Sequence, residues 1–135
     1  MLDHVSIRVA NYDRSKKFYL AALAPLGYTL AMENTSGAGF RKAFIPDFWI
    51  KQGEPVRIGS RDDPLELGCG GPFVHVAFAS DDRTTVDAFY RAALAAGGRD
   101  NGAPELRPNY HANYYGAFVI DPDGYNIEAV CHKPA

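Results

Sequence analysis

The sequence is short of the features that announce several protein classes. It has two cysteines, two methionines and a single tryptophan. Cys69 lies in a glycine-rich stretch and Cys131 near the C-terminus, without any Cys-x-x-Cys spacing, so a zinc or thiol-redox motif is excluded and free thiols are expected. No apolar run approaches the ~20 residues of a membrane-spanning helix, and the N-terminal residues alternate like a strand instead of reading as a secretion signal. A cytoplasmic protein without membrane contact is expected. An excess of one charge is lacking too: 14 basic and 16 acidic residues give a net charge of -2, which offers no broad attraction for nucleic acid. The balance of 47% hydrophobic and 22% charged residues over 135 positions suits one compact domain.

What the sequence does have is a repeat. Displacing the chain so that His4 falls on His75 also superposes Val5 on Val76, Phe18-Tyr19 on Phe89-Tyr90, Ala21-Ala22-Leu23-Ala24 on Ala92-Ala93-Leu94-Ala95, and Gly27 on Gly98, without a gap. Each copy reads strand, polar cap, amphipathic helix, glycine stop. In the first, Val5, Ile7 and Val9 alternate with His4, Ser6 and Arg8, the period of a strand with two different faces. Asn11 reads as a helix N-cap with Asp13 in the first turn, and the helix is expected to run to about Ala24, before Pro25 and Gly27. Asp82 is the equivalent cap. The second leading strand, 74–79, sets Val76 and Phe78 against His75, Ala77 and Ala79. Further strands are expected at 29–32, 41–45 and 48–50, and at 116–120 and 126–130, the last two divided by the strong turn Asp121-Pro122-Asp123-Gly124. The pattern predicts a single α+β domain, 1–135, of two modules, 1–67 and 73–135, each with one helix and about four strands, joined at the glycine-rich residues 68–72. The long stretch 97–113 is expected to be part strand and part cover over a site.

Strand parity then places chemistry. His4, with Ser6 and Arg8, lies opposite the aliphatic side that packs on the helices, and the repeat gives His75 the same position in the second copy. Glu128 alternates with Ile127 and Ala129, so it too leaves the helix side. A carboxylate in such an apolar strand loses hydration unless it gains a partner. Two imidazoles and one carboxylate form the donor set that suits a divalent first-row metal with open coordination positions: iron, manganese, nickel or zinc.

Three segments carry a resemblance: LDHVSIRVANYDRSKKFY at the start, HVAFASDDRTTVDAFY in the middle and GAFVIDPDGYNIEAV at the end. They resemble the vicinal oxygen chelate superfamily of glyoxalase I, extradiol dioxygenases, fosfomycin resistance enzymes and bleomycin resistance proteins. The resemblance implies paired βαβββ modules whose curved mixed sheets form a cup, with helices on the outer face and with His4, His75 and Glu128 as metal ligands. In glyoxalase I a fourth ligand comes from the last strand of the first module. Here that strand is Asp47-Phe48-Trp49-Ile50-Lys51, and Trp49 falls opposite Glu128, so the fourth carboxylate is missing unless a slipped register recruits Asp47. A symmetric homodimer is also implied, in which His4 of one chain could meet His75 and Glu128 of the other; a cup closed within one chain is the alternative.

The implied chemistry is Lewis-acid catalysis on a small, oxygen-bearing substrate, by a lyase, dioxygenase or transferase route. Arg8, Trp49, His111, Tyr114 and Tyr115 are the candidates for the substrate-binding wall: Arg8 for an anionic group, His111 and Tyr115 as proton donors or acceptors. The competing reading is a metal-free protein resembling bleomycin resistance proteins, holding an aromatic ligand among Phe48, Trp49, Tyr110, Tyr114 and Tyr115.

Overall fold

A computed structural model describes residues 2–54 and 74–135, so Cys69 and the expected joint at 68–72 lie outside the described residues. In the first module β1 (Val5–Val9) leads into α1 (Tyr12–Leu23), a single 3-10 turn (Ala24–Leu26), β2 (Thr29–Asn34), β3 (Gly37–Arg41) and β4 (Phe48–Gln52). The second repeats the order with β5 (His75–Ala79), α2 (Arg83–Ala95), β6 (Arg99–Leu106), β7 (Tyr115–Ile120) and β8 (Asn126–Cys131). The two sheets run β1-β4-β3-β2 and β5-β8-β7-β6, with the first pair of each parallel and the rest antiparallel. This is the duplicated βαβββ, α+β architecture that the sequence predicts.

Local chemistry sets the element boundaries. The Asn11 side chain accepts from the Arg14 amide at 3.0 Å, and Asp82 accepts from the Thr85 amide at 2.7 Å, satisfying first-turn donors of α1 and α2 that have no intrahelical partner. One expected strand is displaced. The strand predicted at 41–45 lies instead at Gly37–Arg41, where Ala38 and Phe40 enter the core, while Phe44 in the following turn is 92% exposed. Glycines at 37 and 39 argue against a strand by propensity, but pairing on both sides overrides that bias.

One core serves both modules. Ile7, Val9, Phe48 and Ile50 from the first sheet join Phe78, Ala117, Val119, Ile127 and Ala129 from the second, with the inner faces of α1 and α2, in one cluster of buried side chains. Phe78 meets Tyr28 and Phe48 edge to face, both at 5.2 Å between ring centres. The helix-bearing sides of the two sheets therefore share an interior, and the sides carrying His4, Arg8, His75 and Ala77 look away from it, exposed. Among the described residues no helix is long and apolar enough to cross a membrane.

The turn before β8 clasps the modules together. Asp121 is buried, and its carboxylate accepts from the Tyr19 hydroxyl of α1 at 2.5 Å and from the amides of Asp123 and Tyr125 at 2.9 and 2.8 Å. Asp123 accepts from the Ala10 amide at 2.9 Å and the Ser15 hydroxyl at 3.0 Å, and Tyr125 donates to the Arg8 carbonyl at 2.5 Å. A sequence that reads as a turn is thus the polar seam between the halves.

Burial pushes the Asp121 carboxyl up to about 6, against the downward pull of the hydrogen bonds from Tyr19, Tyr125 and Asp123. The folded chain holds this proton more tightly than the unfolded chain, whose carboxyls titrate near ~4. The stabilisation is therefore fully present below about pH 4 and is lost as pH rises through about 6, on the order of 2–3 kcal/mol in all. Urea unfolding between pH 4 and 7 is expected to show this decline, and Asp121→Asn to flatten it.

Candidate functional site

Glu128 lies in the middle of β8 and is 2% exposed, although its parity puts it on the side of the sheet away from the helices. It is fully partnered there. The Tyr114 hydroxyl donates to Oε1, and His75 Nε2 stands 3.0 Å from Oε2. His75 reaches this point from the adjacent parallel strand β5, where Ala77 is the register partner of Glu128, and its small side chain leaves the space between them open. Burial, with the Glu128 bond next, raises the Tyr114 hydroxyl well above the ordinary phenol range, so it stays protonated and acts as a donor.

The two ring nitrogens of His75 set a further condition. Nδ1 lies 3.2 Å from the Asn126 carbonyl and Nε2 faces the carboxylate, so both look at acceptors. A neutral imidazole has one N–H for the two. A second proton satisfies the pair, and so does a cation taking the place of the proton at Nε2. The arrangement resembles that of metal-binding histidines, in which a carbonyl fixes the tautomer from behind. His75 and Glu128 thus fit as part of a divalent-metal site.

His4 occupies the matching position just before β1, with its side chain about half exposed and Nδ1 2.6 Å from Asp3. The chain does not bring it to the other two: among the described residues no group of three His, Cys, Asp or Glu side chains could hold a metal ion. Arg8 is exposed on the same side of β1, its stem lying near Gly53. In β4, Trp49 pairs with Ser6 just as Glu128 pairs with Ala77, and Ser6 and Ala77 are equivalent in the repeat. The tryptophan therefore holds the place of the missing carboxylate. Its indole lies flat enough over Gly39 that a Cβ there would come within 2.8 Å of the ring. Asp47 does not substitute, since its Oδ2 accepts from Tyr28, whose ring packs into the core on Phe78.

The remaining predicted wall residues divide. Tyr114 joins the site directly. His111 sits in the turn after β6 with its ring 6.1 Å from that of His132, and His132 in turn packs edge-on to Tyr114 at 5.0 Å. Tyr115 does not join them. It shares parity with Ala117 and Val119, so it turns to the helix side, where its hydroxyl donates to Asp87 of α2 at 2.8 Å and Arg83 covers its ring. The sequence groups it with the substrate wall, whereas its hydroxyl lies on the opposite side of the sheet from Glu128. Two neighbours escaped the sequence reading. Phe118, opposite Glu128 on β7, stacks on His75 at 6.1 Å, and Arg107 lies over the same phenyl ring at 5.3 Å. Parity along β7 was the signal for Phe118; the bulges in β6 hid Arg107.

Comparison with known proteins agrees with this architecture. A profile of the glyoxalase/bleomycin resistance protein/dioxygenase superfamily matches residues 1–129. The chain belongs to that superfamily. Within it, the chain is 32% identical over 133 residues to a probable lactoylglutathione lyase of Vibrio parahaemolyticus, spanning 98% of this chain and 91% of the relative. A lactoylglutathione lyase of Neisseria meningitidis is 29% identical, spanning 96% and 89% of the two chains. Among solved glyoxalase-superfamily structures, a glyoxalase/bleomycin resistance protein from Albidiferax ferrireducens superposes with a TM-score of 0.75 at 29% identity, covering 98% of each chain. The fosfomycin resistance protein FosX from Mesorhizobium loti shares the fold, with a TM-score of 0.64 at 18% identity over 97% of this chain and 91% of its own.

Because Trp49 is the sole tryptophan, its contact with Gly39 can be read in solution. Gly39→Ala is expected to displace the indole and shift its fluorescence emission to longer wavelength, with the far-ultraviolet circular dichroism unchanged. An unshifted emission maximum would show that the two do not touch.

Proposed function

We propose that this glyoxalase-superfamily protein is a divalent-metal-dependent enzyme acting on a small substrate with neighbouring oxygens, using His75, Glu128 and His4 as ligands. The observation that carries this reading is the pair of acceptors around His75: a carbonyl behind Nδ1 and a buried carboxylate in front of Nε2. Iron, manganese, nickel and zinc all suit two imidazoles and a carboxylate. When bound, such an ion supplies Lewis-acid stabilisation of negative charge developing on substrate oxygen.

The chain's own residues account for the rest. Phe118 and Arg107 wall the His75 side, the phenyl ring excluding water and the guanidinium, paired with Glu105 at 2.8 Å, lying over that ring. Arg8 offers charge-assisted bonds to an anionic group on the His4 side. Trp49, in the place of a fourth carboxylate, removes one negative charge and adds an aromatic wall, which favours a three-ligand dioxygenase-like or transferase-like route over the lactoylglutathione lyase activity for which the Vibrio and Neisseria relatives are named. The metal-free, ligand-sequestering alternative draws its support from the exposed Tyr110 and the indole of Trp49.

Because His4 and the His75–Glu128 pair lie on sides of the two sheets that both face away from the shared core, the reading includes a symmetric homodimer in which each cup joins one sheet from each subunit. We take the protein to act in the cytoplasm on small molecules.

Purified protein is expected to carry stoichiometric divalent metal by elemental analysis, and His4→Ala and His75→Ala to lose it. Mixing the two variants after unfolding and refolding is expected to restore metal to about a quarter of the sites, since half the dimers are mixed and each of those rebuilds one of its two sites. No restoration, with both single variants metal-free, rules out the shared cup. Wild-type protein that takes up no metal yet binds an aromatic ligand tightly rules out the metal reading.

A further inference from the structure

We infer that Tyr114 is a positioning residue: its hydroxyl holds Glu128 Oε1 so that Oε2 is left aimed at His75 Nε2 and at a cation bound there. The inference rests on the metal reading proposed above and gives Tyr114 a task other than touching substrate.

The local structure is arranged around this contact. β6 ends at Leu106, and the chain then closes a tight turn in which the Arg107 amide donates to the Tyr114 carbonyl at 2.7 Å and the Tyr114 amide donates to the His111 carbonyl at 3.0 Å. The Tyr114 ring is packed edge-on by Tyr110 at 5.1 Å and by His132 at 5.0 Å, which leaves its hydroxyl little freedom. The ring sits on the Glu128 side of the sheet, whereas the next residue, Tyr115, turns to the helices.

Gly116 supplies the space. A Cβ at that position would lie 3.0 Å from Glu128 Oε1 and 3.1 Å from the Tyr114 ring, against both partners of the contact. Its backbone is not in the left-handed region, so room explains the glycine where conformation does not. A carboxylate side chain on a strand can turn about three bonds. With Oε1 tied to a donor whose ring packs against two others, those turns are restricted before any cation arrives, and less ordering remains for binding.

Tyr114→Phe keeps the ring and its packing and removes only the donor. Cobalt(II) serves as the probe, because its visible absorption reports ligand geometry as well as occupancy. The expected result is cobalt(II) affinity about 10- to 100-fold weaker than wild type, with an altered visible spectrum. Gly116→Ala, which keeps the hydroxyl but crowds both partners of its bond, is expected to weaken binding in the same direction. Unchanged affinity and spectrum in Tyr114→Phe overturn the proposal. A crystal structure of metal-free Tyr114→Phe separates this inference from the metal reading. Glu128 turned away from His75 supports the positioning role, and Glu128 unmoved overturns it, whether or not wild-type protein binds cobalt(II).

Discussion

Two amphipathic sheets and one interior set the terms for everything else in this protein. Each module has a helix on one side of its sheet; packed together, the helix-bearing sides form one continuous core through Phe78, Phe48 and Tyr28. The cost of that solution is that the other two sides are turned outward and apart. Chemistry placed there can be completed only by something outside the chain's own core. A partner subunit is one such thing, and a bound ligand is another.

Glu128 shows how the arrangement handles a buried charge. On an outward face an isolated carboxylate would normally keep water; this one is 2% exposed, hemmed by Tyr114, Gly116 and Phe118. Its two oxygens have one partner each, a hydroxyl and an imidazole, and removal of either would leave a buried acceptor unsatisfied. The equivalent place in the first module carries no charge at all, because Trp49 fills it and lies down on a glycine. The two modules share a backbone arrangement, with an electrostatic contact at this place in one and a packing contact in the other.

The parts legible in the sequence were those governed by period and symmetry. Alternation in β1 and β5 assigned His4, His75 and their aliphatic neighbours to the correct faces, and setting Phe48-Trp49-Ile50 against Ile127-Glu128-Ala129, as the family resemblance implies, matched Trp49 to Glu128 before any register was known. Parity failed only where it was not applied: Tyr115 precedes Gly116 and shares a side with Ala117, which already excluded it from the Glu128 face. Propensity misplaced β3, where glycines sit in a strand held by neighbours on both sides. The Tyr114 contact was out of reach for a different reason. It depends on two register shifts in β6 and on a turn whose direction no single residue dictates.

The seam at Asp121 to Tyr125 joins residues far apart along the chain, since Asp123 holds the amide of Ala10 and Tyr125 the carbonyl of Arg8. In N-to-C synthesis, the edge where β1 runs into α1 meets these partners only once the segment through Tyr125 has been made, so until then its polar groups are left to water.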